Sequence, residues 1–153
     1  MKKKHKLTLY EQSNIDELEF LIELNNALDL TKYKIKRTNT ISQYHPVDYD
    51  VYRDDTLIMH IEIKCRHDLS YYLVNDKTLM IGATKLKNIE KDYFNTLLVW
   101  RCKTKKQYHF TWFKPEFNKL PTKWLNNSPV KYIPIEYCSN GFENLIHSIS
   151  SKS

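Results

Sequence analysis

At 153 residues, 41% hydrophobic and 27% charged, the chain has the size and composition of one globular domain, which excludes a disordered chain and a small disulfide-stapled scaffold. Its 24 basic residues outnumber its 18 acidic ones for a formal charge of +6, which favours a polyanionic partner, nucleic acid first. No stretch approaches the ~18 apolar residues of a membrane span, and no apolar segment follows the basic start at Met1–Lys6, so neither a membrane nor a secretory signal is expected.

Further exclusions come from two rare residue types. Cys65, Cys102 and Cys138 are too far apart for a zinc site and read as buried free thiols of a reducing compartment. The expected location is therefore intracellular, in the cytoplasm or with the nucleoid or nucleus. With only two glycines, Gly82 and Gly141, a glycine-rich phosphate loop is excluded, and turns must be built from Asn, Asp, Lys and Pro. Nothing divides the sequence, so residues 1–153 are expected to form one domain, with 1–12 and 148–153 as loose termini.

In chain order, the first predicted helix runs from about Ile15 to Leu28. Ser13, with Asp16 three residues on, is the expected N-cap. At about 100° per residue, Ile15, Leu18, Leu21, Ile22, Leu24 and Leu28 gather on one face. Asp16, Glu19 and Glu23 fall opposite, as a solvated side should, whereas Glu17 flanks the apolar face and is the odd acid of the helix. Strands are predicted from Tyr33 to Thr38 and from Val47 to Arg53. After turn chemistry at Asp54-Asp55-Thr56 a third is expected from Leu57 to Arg66, where Ile61, Ile63 and Cys65 alternate with His60, Glu62, Lys64 and Arg66. A helix over Thr84–Asp92, a hairpin of Thr96–Cys102 with Gln107–Phe113, a strand over Lys131–Tyr137 and a closing helix over Phe142–Ile149 complete the chain. The fold class is α/β, a mixed central sheet flanked by helices.

The chemistry concentrates in the second and third strands. Strand alternation puts Glu62 and Lys64 on one face. If the turn between the strands holds an odd number of residues (54 to 56), Asp48 faces Glu62 and Asp50 faces His60. Opposed side chains have Cβ atoms about 4.5–5.5 Å apart, near enough for two carboxylates to share a divalent cation. An even turn would send the aspartates to the far face. Carboxylates with a lysine suit phosphodiester hydrolysis, where Mg²⁺ neutralises the phosphate and acidifies a water, and the lysine steadies developing charge.

The run Asp48…Glu62-Ile63-Lys64 resembles the signature of the PD-(D/E)xK nuclease superfamily, with a helical acid before it and a lysine opening the next helix. The resemblance covers roughly residues 13–113 and implies a restriction-endonuclease-like or junction-resolvase-like fold. It implies catalytic roles for Asp48, Glu62, Lys64, Glu17 and Lys85, and a Mg²⁺ or Mn²⁺ site at Asp48, Glu62 and Ile63, with Asp50 as the alternative ligand. Pro46 is separated from Asp48 by Val47, a departure from the motif. The implied activity is that of a Mg²⁺-dependent deoxyribonuclease, an endonuclease ahead of an exonuclease; a homodimer would suit cutting two strands. The competing reading is a nuclease-like fold that binds nucleic acid or protein without cutting.

Lys34, Lys36, Arg37, Arg66 and Lys87 are the candidate nucleic-acid contacts, with further lysines at 2–4 and 103–106 and stacking groups at Tyr33, Tyr44, Tyr71 and Tyr72. His60 and His67 are set aside as ligands, since carboxylates suffice for magnesium.

Overall fold

The computed structural model describes residues 7–38, 45–67 and 77–152. Helix α1 spans Leu9–Ala27, starting earlier than the expected Ile15. Its cap is Thr8 rather than Ser13: the Glu11 N–H donates to Thr8 Oγ1 and the Thr8 N–H to Glu11 Oε1, each at 3.1 Å. This reciprocal capping box satisfies two of the donors that a helix start leaves open.

The face on which α1 packs also differs from the periodic reading. Phe20 and Leu24 are fully buried, while Leu18 and Ile22 remain exposed. Asp16, Glu19 and Glu23, expected in solvent, instead meet cations of the sheet. Lys103 Nζ lies 2.8 Å from Asp16 Oδ1, Arg101 lies 3.3 Å from Glu19 and 2.5 Å from Glu23, and the Tyr108 hydroxyl donates to Glu23. Helical periodicity ranks faces by polarity and is blind to a partner that neutralises one; Arg101 and Lys103 supply that partner.

Strands β1 (Tyr33–Arg37), β2 (Tyr49–Arg53) and β3 (Thr56–Arg66) are followed by β4 (Thr78–Gly82), α2 (Ala83–Asp92), β5 (Thr96–Cys102) and β6 (Gln107–Trp112). A 3-10 turn at Pro115–Lys119, β7 (Lys123–Leu125), β8 (Ser128–Pro134), β9 (Ser139–Asn140) and α3 (Phe142–Ser150) follow. The main sheet has the order β1-β2-β3-β5-β6-β9, and β4-β8-β7 form a second, smaller sheet that the sequence reading lacked. β8 begins and ends earlier than the expected strand at Lys131–Tyr137, because Ile135–Tyr137 turn as a 3-10 helix after Pro134.

Only β3 and β5 of the main sheet are parallel, and α2 lies on the crossover between them, as such a pair requires. Every residue of β5 is buried, since both faces of this central strand are covered. Leu97 and Val99 join the core beneath α1 and α3 with Phe20, Leu24, Ile61, Ile63, Phe110, Leu145 and Ile149. Leu98 and Trp100 join a second core with Leu86 and Ile89 of α2, Ile81 and Ile133 of the small sheet, and Phe117.

The β2–β3 hairpin sets the register of the site by an unexpected route. Its turn is the two-residue pair Asp54-Asp55, both at positive φ (49° and 65°), so Arg53 pairs with Thr56. Continued unbroken, that even turn would carry the aspartates to the wrong face. A bulge at Ile58 intervenes: Tyr52 pairs with Leu57, but Val51 pairs with Met59. The added residue flips the alternation back. Asp50 consequently faces His60 and Tyr49 faces Ile61, the register expected from the sequence, reached through a turn plus a bulge.

The three cysteines are unpaired, and burial pushes the Cys65 and Cys138 thiols up to about 12. Among the described residues no helix is long and apolar enough to cross a membrane.

Candidate active site

β2 begins only at Tyr49, opposite Ile61, whereas β3 continues to Arg66. Among the described residues no strand lies beside this edge of β3 beyond Ile61, and its main-chain groups must find other partners. Asp48 meets the need. Its N–H donates to the Ile61 carbonyl (2.9 Å), and its Oδ2 accepts the Ile63 N–H (2.8 Å). A strand residue presents N–H and C=O to the same edge, so the Ile63 carbonyl opens toward the Asp48 side.

The loop carrying Asp48 is pinned from two directions. The Thr38 N–H donates to the Asp48 carbonyl (3.0 Å) and the Thr38 hydroxyl to the Val47 carbonyl. His45 Nδ1 lies 3.1 Å from the same Val47 carbonyl, with Nε2 3.1 Å from the Tyr93 hydroxyl at the end of α2.

Glu62 is 1% exposed. Its Oε1 accepts Lys85 Nζ at 2.7 Å, with Lys64 Nζ at 3.7 Å. Its Oε2 is buried and has no hydrogen-bond partner among the described residues. Glu17 on α1 stands similarly: Oε2 lies 3.7 Å from Arg37, and the buried Oε1 is unpartnered. A buried acceptor without a partner is destabilising by about 1–3 kcal/mol, so two such oxygens in one place need a reason.

Glu17, Asp48, Glu62, Lys64 and Lys85 all line one cleft of ≈ 330 Å³, with Ile63, Arg66, Thr38, His45 and the first turns of α1. Burial, then the Asp48 charge, pushes the Glu62 carboxyl up to about 8 against the pull of Lys85 and Lys64. The same two causes, in the same order, push Glu17 up to about 7, opposed by Arg37 and Lys85. Burial lowers the Lys64 ammonium, with Glu62 opposing and Lys85 adding to the effect. For Lys85 burial also works against the charge, but Glu62, Asp48 and Glu17 outweigh it and the pKa is raised.

Carboxylates crowded into a half-dry cleft, two of them with an unsatisfied oxygen, form a hard-oxygen donor set that fits a divalent cation. Among the described residues no three His, Cys, Asp or Glu side chains form a ready-made cage. An ion of the magnesium kind would complete its shell with main chain, water or phosphate, as that ion commonly does.

The structure thus brings together seven of the sequence candidates: Glu17, Asp48, Glu62, Ile63, Lys64, Arg66 and Lys85. Asp50 is not among the cleft residues; its Oδ1 lies 2.7 Å from His60 Nδ1. Lys34, Lys36 and Lys87 are exposed and stand outside the cleft lining. Lys36 Nζ sits 5.1 Å over the Tyr52 ring, and Arg37 is bound to Asn14 (2.6 Å) as well as Glu17. Tyr33 donates to the Ser150 carbonyl (3.0 Å), a structural contact. Lys2–Lys4, Tyr44, Tyr71 and Tyr72 lie outside the described residues. Sequence reasoning missed Thr38, His45 and the α1 residues Leu9, Tyr10, Ser13 and Asp16, all of which line the cleft. His45-Pro46, directly before the Asp48 segment, was the one local signal.

This architecture is a restriction-endonuclease-like α/β fold. Neither a protein-family model nor a curated protein matches the sequence. Among solved structures, that of D212, a nuclease from a fusselovirus, is similar over 96% of this chain and 95% of that one, with a TM-score of 0.57 and 14% identity. At that identity the likeness is one of fold.

Proposed function

We propose that the protein is a Mg²⁺- or Mn²⁺-dependent deoxyribonuclease of the PD-(D/E)xK kind, cutting internal phosphodiester bonds. The observation that carries this reading is Glu62: a carboxyl buried at the floor of an open cleft, with one oxygen on Lys85 and the other unpartnered. A structural ion pair would satisfy both oxygens; a half-satisfied one fits a ligand awaiting its ion. Asp48, Glu62 and the Ile63 carbonyl are the groups that would hold it, with Glu17 bordering the same space. Such an ion supplies charge neutralisation at the phosphate and a more acidic water.

The chain's own groups have separable tasks in this reading. The Ile63 N–H fixes the Asp48 carboxylate, and Lys85 orients Glu62. Lys64, whose pKa is lowered by its surroundings, stands where it can orient the attacking water or steady charge on the phosphoryl oxygens. The net charge of +6 and the nuclease that shares the fold support nucleic acid as the substrate. Cutting both strands of a duplex would take a second copy.

One observation favours a second reading, a nuclease-like fold that binds nucleic acid without cutting: Lys85 and the Ile63 N–H already occupy one oxygen each of Glu62 and Asp48. Incubation with plasmid, linear and branched DNA in Mg²⁺, Mn²⁺ or EDTA separates the two. Cleavage in metal and none in EDTA supports the nuclease; binding without cleavage under all conditions supports the second reading.

A further inference from the structure

The cleft is lined by two chemically different kinds of group: the cations Lys64, Arg66 and Lys85 with the carboxylates Glu17, Asp48 and Glu62, and, at the start of α1, the side chains Leu9, Tyr10 and Ser13. Leu9 is 91% exposed and Tyr10 56% exposed, so neither owes its place to the core. An aromatic and an aliphatic side chain left in solvent in the same cleft as Lys64, Arg66 and Lys85 would suit a ligand that has both an anionic group and an apolar face. The capping box at Thr8 and Glu11 holds this turn in a fixed position. Tyr10, Ser13 and Glu17 follow the i, i+3, i+7 spacing of one helix face, so Tyr10 lies about 10 Å along the axis from Glu17. This turn and the lysines line one cleft, so a nucleotide held there can meet both.

We infer that Tyr10, backed by Leu9, stacks on an unpaired base next to the scissile phosphate, which makes the substrate DNA with single-stranded character at the cut: a flap, gap, loop or frayed end. This rests on the nuclease reading above. In an intact duplex the base faces are covered by their neighbours, and a side chain beside the phosphate site reaches one only when the base is unstacked. Stacking on an aromatic ring accepts any base, so the preference is for structure and not for sequence.

The test compares single-turnover cleavage of a duplex and of the same duplex with unpaired nucleotides at the cut, for wild type, Tyr10→Ala, Tyr10→Phe and Trp124→Ala. Trp124 is the control, an exposed aromatic on β7 outside the cleft lining. Wild type should prefer the unpaired substrate. Tyr10→Ala should lower that preference about 5- to 150-fold, the ~1–3 kcal/mol typical of a base–aromatic stack. Tyr10→Phe and Trp124→Ala should keep it. A 2-aminopurine oligonucleotide titrated in EDTA should be quenched by wild type and Tyr10→Phe, and much less by Tyr10→Ala, giving a readout independent of cleavage. Equal preference in wild type and Tyr10→Ala, or an equal loss in Trp124→Ala, overturns the inference while leaving the nuclease intact. If wild type cuts neither substrate with metal, the functional reading itself fails, and quenching then reports stacking alone.

Discussion

Replacing Glu62 by Gln keeps the side chain's shape and removes its titration, which isolates the strain that ionising this buried carboxyl places on the fold. The carboxyl titrates at an ordinary 4.5 when unfolded and at about 8 in the folded protein. Between those values the folded state holds a proton that the unfolded state has lost. The group's favourable contribution is therefore complete below pH 4.5 and is lost as pH rises toward 8, by about 1.4 kcal/mol per pH unit. From pH 5.5 to 7.5 this amounts to about 3 kcal/mol, or a relative shift of about 6–12 °C in Tm for a domain of this size. Thermal or urea melts of both proteins in EDTA at the two pH values read it as a double difference, from which groups that do not interact with Glu62 cancel. Wild type should lose stability across the window relative to Glu62→Gln. Parallel profiles would show that Glu62 ionises at an ordinary pKa, and the account of a carboxylate poised for a cation would be wrong.

Three other perturbations probe the remaining parts of the site. Lys64→Ala should slow single-turnover cleavage about 10²–10³-fold while DNA binding measured in Ca²⁺ persists; an unchanged rate would reduce Glu62–Lys64 to an ion pair. Lys85→Met strips Glu62 of its hydrogen bond at 2.7 Å and should destabilise the metal-free protein by about 1–3 kcal/mol at pH 8, and by less at pH 6, where Glu62 takes up a proton. Equal loss at both pH values would contradict the Lys85–Glu62 coupling. Affinity for DNA should fall steeply between low and moderate salt through counterion release, and a salt-independent affinity would point to a partner other than nucleic acid.

Much of the site could be read from one segment, because strand periodicity is a local property. Alternation through His60–Arg66 placed Glu62 and Lys64 on one face, and the neighbouring strand placed Asp48 opposite. The register came out as expected for a reason that the sequence does not display. An even Asp54-Asp55 turn and a bulge at Ile58 offset each other, and a bulge depends on packing against both neighbours. The face of α1 was less legible. Its acids are paired by Arg101 and Lys103, from a hairpin more than seventy residues away, so local polarity pointed the wrong way. The small sheet escaped notice because β7 is three exposed residues, too short for a periodic signal, and β4 runs directly into α2. Tyr10 was invisible as a site residue for a related reason: what marks it is where the start of α1 ends up in space.

Whether this particular cleft cuts DNA is measured most directly by the single-turnover rate in saturating Mg²⁺ for wild type, Asp48→Ala, Glu62→Ala and Asp50→Ala, each verified as folded by its melting transition. Wild type should cut, Asp48→Ala and Glu62→Ala should not, and Asp50→Ala, altered at the His60 contact and outside the cleft, should retain most of the rate. Cleavage by Asp48→Ala or Glu62→Ala within a few-fold of wild type would place the chemistry elsewhere and contradict the account.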